Sequence, residues 1–283
     1  MIKTYGYSIL ALIAFAANSV FCRLALMDEN IDAASFTLIR MLSGAAMFVL
    51  LLSLQRRIPA ILVKPTPKRM LSALMLFIYA AAFSFAYITL ETATGALVLF
   101  GTVQLSMLLI GWFKGSRFTL IESVGIAVSF GGLVYLLYPQ AATPSLNGFV
   151  LMTFAGFAWG VYTLLGRGSS EPMIDTASNF VLTIPLVVLL TLVCWPSLDI
   201  SAIGALWAVL SGVLASALGY TIWYAVLPSL RTTSAAVMQL SVPVIAAIGG
   251  VLLVAEPITQ RLLIASVLVL GGILLVVTAK KRS

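Results

Sequence analysis

The chain has 283 residues, of which 61% are hydrophobic and only 9% charged, with a formal net charge of +7. A water-soluble domain carries about 25% charged residues to solvate its surface, so this composition excludes a soluble globule and requires a surface that faces lipid. Histidine is absent, which removes the commonest metal ligand and neutral-pH proton shuttle. The two cysteines, Cys22 and Cys194, lie in apolar runs and read as small buried hydrophobes, neither a disulfide nor a metal pair.

A membrane-spanning helix needs about 20 mostly apolar residues. In chain order the sequence divides into ten such segments: 5–26, 33–54, 70–89, 92–113, 119–138, 146–166, 175–195, 202–226, 232–254 and 259–278. These runs are too long for barrel strands and lack a strand's alternation, so an all-α membrane protein of ten transmembrane helices is expected. Lys3, an apolar stretch and Ala14-Phe15-Ala16 together mimic a secretory signal, but the run continues to Leu26, so an uncleaved first helix is expected.

The connections carry the punctuation of breaks. Pro59, Pro65, Pro67, Pro139, Pro144, Pro172, Pro196, Pro228 and Pro257 fall between segments, while Pro185 and Pro243 fall inside, where each frees a carbonyl and permits a bend. Thr119 and Glu122 have capping-box spacing at the start of the fifth segment, which gives Glu122 a structural role. Gly156-x-x-x-Gly160 in the sixth segment predicts a close helix approach within the bundle.

Charge fixes sidedness. Lys3, Arg56, Arg57, Lys64, Lys68, Arg69, Lys114, Arg117, Arg167, Arg231, Lys280, Lys281 and Arg282 fall on one face; Asp28, Glu29, Asp32, Glu91, Asp199 and Glu256 fall on the other. The positive-inside rule makes the basic face, and with it both termini, cytoplasmic. The basic balance therefore reports topology and implies no nucleic-acid partner.

An internal echo divides the chain. Ile31-Asp32-Ala33-Ala34-Ser35 recurs as Ile174-Asp175-Thr176-Ala177-Ser178, and Thr119 with Gly131-Gly132 recurs at Thr259 with Gly271-Gly272. The halves 1–139 and 146–283 are thus read as two five-helix repeats, and an odd number of helices places the second upside down. Inverted repeats are how many secondary transporters alternate access about a midplane site. A membrane enzyme would need a catalytic grouping that the sequence lacks, a channel would need pore-lining rings across subunits, and a receptor would need a sizeable soluble module.

Polar and aromatic residues at mid-depth are the candidate site. Asn18, Gln104 and Gln239 each sit near a segment's centre, where an amide must find a partner: another helix, as glue for the bundle, or a substrate. Tyr79, Phe83 and Tyr87 share one face of the third segment, and Phe100, Trp159 and Trp223 add rings on others. Interfacial belts account for Tyr87, Tyr138 and Trp195, but not for the central rings, which are read as cavity lining. Arg40 lies about two turns into the second segment and is read as one half of a structural ion pair, with Glu91, Asp28 or Glu29 as its partner. No segment carries a mid-depth carboxylate, so transport down the substrate gradient is expected, with Glu91 and Glu256 as the only acids near enough to couple a proton.

Several motifs carry a family resemblance. Asn18-Ser-Val-Phe-Cys-Arg23-Leu with Phe36-Thr-Leu-Ile-Arg40, Ala158-Trp159-Gly-Val-Tyr162-Thr163, Gly219-Tyr220-Thr-Ile-Trp223-Tyr224, Ser241-Val-Pro243 and Ala255-Glu256-Pro-Ile-Thr259 together resemble the EamA branch of the drug/metabolite transporter superfamily. The resemblance spans essentially the whole chain and is strongest to bacterial aromatic amino acid exporters. It implies a monomeric inner-membrane exporter of aromatic and other neutral amino acids, without a cofactor, although another metabolite or drug would suit the same architecture. With that substrate class, the mid-depth residues Asn18, Tyr79, Phe83, Phe100, Gln104, Trp159, Thr163, Trp223 and Gln239 are expected to line a cavity between the repeats, the amides and hydroxyl meeting the zwitterion and the rings its side chain. One departure stands out: Val103 and Ser116 replace a Pro and a Glu that the family often repeats in its first half, so the fourth helix is expected to bend less than the ninth.

Overall fold

A computed structural model describes residues 2–27, 29–57, 66–115, 117–137, 144–167, 169–230 and 238–279. Asp28, Lys64, Ser116, Tyr138, Arg231, Lys280, Lys281, Arg282, the prolines 59, 65 and 139, and positions 232–237 of the ninth segment lie outside the described residues. The described chain is all-α: α1 Ile2–Leu26, α2 Ala33–Leu54, α3 Pro67–Ala86, α4 Thr92–Phe113, α5 Leu120–Leu137, α6 Leu146–Gly166, α7 Pro172–Val193, α8 at 202–226, α9 Ser241–Val254 and α10 Gln260–Ala279. Eight of these are long and apolar enough to cross a membrane; α5 and α9 are the two shorter apolar helices.

Local chemistry sets the helix starts. Asp32 accepts hydrogen bonds from the Ala34 and Ser35 amides (2.9 Å each) at the head of α2. Thr66, Ser145 and Ser201 cap α3, α6 and α8 in the same way. At α5 the capping box is complete, for the Thr119 amide donates to Glu122 Oε2 at 2.7 Å and the Glu122 amide to Thr119 Oγ1 at 3.3 Å. Pro67 and Pro172 each stand at a helix's first turn, where a missing N–H costs nothing, so α3 and α7 begin three residues before the expected segments. Asp175, expected to open its segment as Asp32 does, therefore lies inside α7's first turn.

The eighth segment is not one regular helix. Ala202–Leu210 and Gly219–Val226 are α-helical, and Ser211–Leu218 between them is a π-helix. A wide turn of this kind shifts the face of every residue after it, so a reading by 3.6-residue periodicity misplaces them. Gly212 lies in this stretch, pressed so closely on the Arg40 carbonyl and Gly44 amide of α2 that a Cβ has no room. Pro243, expected inside a helix, stands in the first turn of α9, after a break at Leu240.

The helices pack in defined pairs: α5 on α10, α2 on α7, α4 on α9, α6 on α3 and α4, α1 on α8 and α9, and α8 and α7 on α2 and α3 respectively. Glycines admit the closest approaches. A Cβ on Gly156 or Gly160 would meet Thr102 and Ser106 of α4, and one on Gly272 would meet the Gly125 carbonyl of α5. Outward, large apolar side chains such as Leu120, Phe130, Phe154, Leu252 and Val267 are exposed, as a lipid-facing surface requires.

Candidate functional site

All nine residues predicted to line a site border one cavity of about 1050 Å³. Its lining reaches the basic-side helix ends at Lys114, Arg167, Pro172, Asp175 and Pro228 and extends into the bundle to Asn18, Ser19, Phe83 and Leu99.

Its walls are a continuous chain of rings. Trp159 of α6 is central, with ring centroids 4.6 Å from Tyr79, 5.2 Å from Tyr162 and 5.4 Å from Tyr220. Tyr79 continues to Phe83 at 5.5 Å and Phe83 to Tyr87 at 4.8 Å; on the other flank Tyr220 meets Phe15 at 5.6 Å, and Phe15 meets Trp223 at 5.9 Å. Phe100 packs beside this second flank.

The three amides divide. Asn18 is engaged on both sides: its Oδ1 accepts from Ser211 Oγ at 2.6 Å, and its Nδ2 donates to the Tyr79 hydroxyl at 3.2 Å. Gln104 and Gln239, both lining the cavity, have no hydrogen-bond partner among the described residues. Thr163 stands at the exposed edge, and its hydroxyl donates to the Trp159 carbonyl of its own helix at 2.8 Å.

Among the lining residues not predicted from the sequence are Phe15, Tyr162, Asn179 and Tyr220. Asn179 Nδ2 donates to the Tyr162 hydroxyl at 3.3 Å while its Oδ1 has no partner among the described residues. The signal for Asn179 was the same as for Asn18, an amide in an apolar helix. Nothing local marked Tyr220, whose direction depends on the π-stretch before it.

Two readings need correction. Arg40 makes no ion pair among the described residues. Its guanidinium lies over the rings of Tyr79 (5.2 Å) and Phe83 (5.0 Å), and its Nη2 donates to the Tyr79 hydroxyl at 3.2 Å. Helix packing turns Arg40 inward, away from the acidic loops. Tyr87 is no interfacial ring either: it is fully buried, and its ring fills the space that Gly95 leaves free.

The ion pair exists elsewhere. Arg23 Nε donates to Glu256 Oε1 at 2.9 Å, Arg23 Nη1 to the Tyr87 carbonyl at 3.1 Å, and the Thr92 amide to Glu256 Oε2 at 2.7 Å. This cluster joins α1, α3, α4 and the turn after α9 between the cavity floor and the acidic face. Next to it the Asp32 amide donates to the Asp199 carbonyl and the Asp199 amide to Asp32 Oδ2, both at 3.0 Å, and Ile31 and Ile200 form an antiparallel bridge. Glu91 lies beside this cluster. Burial raises its carboxyl pKa, the neighbouring Glu256 raises it further, and Arg23 opposes both.

A ten-helix bundle around a side-open cavity lined by rings and amides defines a multi-pass membrane transporter. Residues 146–278 match the model of the EamA-like transporter family. An uncharacterised protein of Pseudomonas aeruginosa is 47% identical over 98% of this chain and 96% of its own length. An uncharacterised transporter of Archaeoglobus fulgidus is 30% identical over 58% of this chain and 60% of its own. A solved crystal structure with 20% identity superposes with a TM-score of 0.68, covering 97% of this chain and 99% of that one, and shares the fold. The family match assigns the second half of the chain, residues 146–278, to the EamA-like transporter family, a family of transporters and not of enzymes.

Proposed function

We propose that this chain exports aromatic and other neutral amino acids across a bacterial inner membrane by alternating access, as a monomer with both termini in the cytoplasm. The observation that carries the reading is the cavity itself, open toward the basic face and walled by Trp159, Tyr79, Tyr162 and Tyr220 with the free amides of Gln104 and Gln239. Rings bury an aromatic side chain, and amides offset part of the water shed by a zwitterion. The sequence resemblance to the bacterial aromatic amino acid exporter YddG supports the same substrate class.

The division into inverted repeats, 1–139 and 146–283, has independent support. Exchanging each of the first five helices with the helix five places later maps the most extensively packed helix pairs onto one another: α3 on α6 becomes α8 on α1, and α3 on α7 becomes α8 on α2. The family model falls within the second of these halves. With the basic face cytoplasmic, the present conformation faces inward, the state in which an exporter loads.

Flux of labelled L-phenylalanine through proteoliposomes tests the reading. Saturable movement down its gradient is expected, and Trp159→Ala should lower it roughly tenfold, the loss of one substrate–ring contact worth about 0.5–1.5 kcal/mol beyond area burial. Glycine flux should fall less. Flux equal to empty vesicles for every amino acid would assign the cavity to another metabolite or drug.

A further inference from the structure

Tyr79 lines the cavity together with Asn18, and its hydroxyl is engaged on two sides. It accepts from Asn18 Nδ2 and from Arg40 Nη2, each at 3.2 Å. A phenol has two acceptor lone pairs and one proton to donate. Both lone pairs are taken by donors that have nothing to accept with on those atoms. The proton is therefore left over, and it meets no acceptor among the described residues.

Behind it lies a cation with no counter-ion among the described residues. Arg40 is 1% exposed, and its Nε and Nη1 have no hydrogen-bond partner among the described residues. The rings of Tyr79 and Phe83 offer their negative faces to the guanidinium but no negative charge. A full charge in that position, inside a membrane protein, is costly unless an anion comes near it. Asn18 cannot relieve it, for its own oxygen is held by Ser211.

We infer that the Tyr79 hydroxyl, held by Asn18 and backed by Arg40, is the subsite for a carboxylate of the transported molecule. A carboxylate there accepts the free phenolic proton and brings a negative charge to the face of Tyr79 that Arg40 polarises. A neutral amide at the same place would accept the proton but leave Arg40 uncompensated. The subsite therefore selects acids over their amides. Trp159, 4.6 Å from the Tyr79 ring, then stands where the substituent of a bound acid must pass. Tyr79 touches the substrate; Arg40, one layer behind, is a positioning residue. The inference rests on the cavity as the transport site and deepens the amino acid reading.

Binding to the purified full chain, measured by calorimetry, tests it with two acid–amide pairs: L-phenylalanine with L-phenylalaninamide, and phenylacetate with phenylacetamide. Each acid should bind at least tenfold tighter than its amide, the worth of one hydrogen bond to a charged group. Tyr79→Phe, which keeps the ring and removes the proton, should weaken the acids roughly tenfold and leave the amides within about twofold. Equal binding of acid and amide overturns the subsite while the amino acid reading survives if phenylalanine binds. A preference for phenylacetate with no phenylalanine binding supports the subsite and overturns the amino acid reading. No binding of any of the four overturns both. If Tyr79→Phe does not yield monodisperse protein, the unsubstituted chain's acid–amide ratio decides alone; if the variant folds and keeps the acid preference, the subsite is wrong.

Discussion

The two ends of the cavity are built from similar residue types and behave as opposites. At the acidic end, Arg23 and Glu256 pair with side chains only 17% and 10% exposed, and the Tyr87 carbonyl and the Thr92 amide add a backbone partner to each. At the basic end, Arg57 and Glu171 pair at 2.7 Å with side chains 43% and 51% exposed. Arg69 and Asp175 pair at 2.9 Å beside the open mouth. A pair sheltered from water and knitted to the backbone holds a gate, whereas a pair in water ties loops together and contributes little. The comparison teaches that a closed end is marked by shared backbone partners, not by the number of ion pairs.

The comparison is broken most forcefully at Glu256. Glu256→Gln strands the Arg23 guanidinium, and on the order of 3 kcal/mol of stability should be lost, seen as a lower midpoint in thermal unfolding. Glu171→Gln, at the open end, should leave the midpoint unchanged within error. Equal shifts would mean that the acidic end is not a seal.

Two glycines sharpen the contrast sterically. A Cβ on Gly204 would lie 2.5 Å from the Asn30 carbonyl oxygen, in the loop that zips onto residues 199–201, while one on Gly166 at the basic end meets nothing. Gly204→Ala should cost about 1–3 kcal/mol through overpacking and loosen the acidic end. Gly166→Ala should be neutral or slightly stabilising. Unfolding midpoints of the two variants decide it.

Much of this asymmetry was legible in the sequence. The ten segments followed from apolar runs and capping chemistry, and the sides of the two faces from Lys and Arg placement. All nine site residues share one cavity because amides and central rings in apolar helices have few other places to go. Three things were not legible. The π-stretch at Ser211–Leu218 leaves no mark in hydropathy, yet it sets the direction of Tyr220. Arg40 and Arg23 look alike as charges inside apolar runs; only the packing of α3 and α9 sends one to Tyr79 and the other to Glu256. Tyr87, at a helix end where belts occur, is buried because Gly95 gives its ring a place.

Glu91 gives the smallest expected effect. Its carboxyl pKa is raised in the folded protein, so the folded state holds the proton more tightly than the unfolded chain does. Its contribution to stability is therefore present below the ordinary carboxylate pKa and is lost as pH rises through the raised one. Glu91→Gln should flatten the fall in stability just above that range, read from unfolding midpoints across pH. A steeper fall in the variant would show that Glu91 is held by Arg23 instead.

The most direct measurement follows one cavity position from both sides of the membrane. In a chain carrying Cys22→Ala and Cys194→Ser, Met107→Cys places a thiol on the cavity wall. A membrane-impermeant thiol reagent should label it from the basic face, L-phenylalanine should slow that labelling, and labelling from the acidic face should emerge only when Glu256→Gln is added. Labelling from the acidic face with the Arg23–Glu256 pair intact, or labelling that no amino acid slows, would contradict a sealed, amino-acid-loaded cavity.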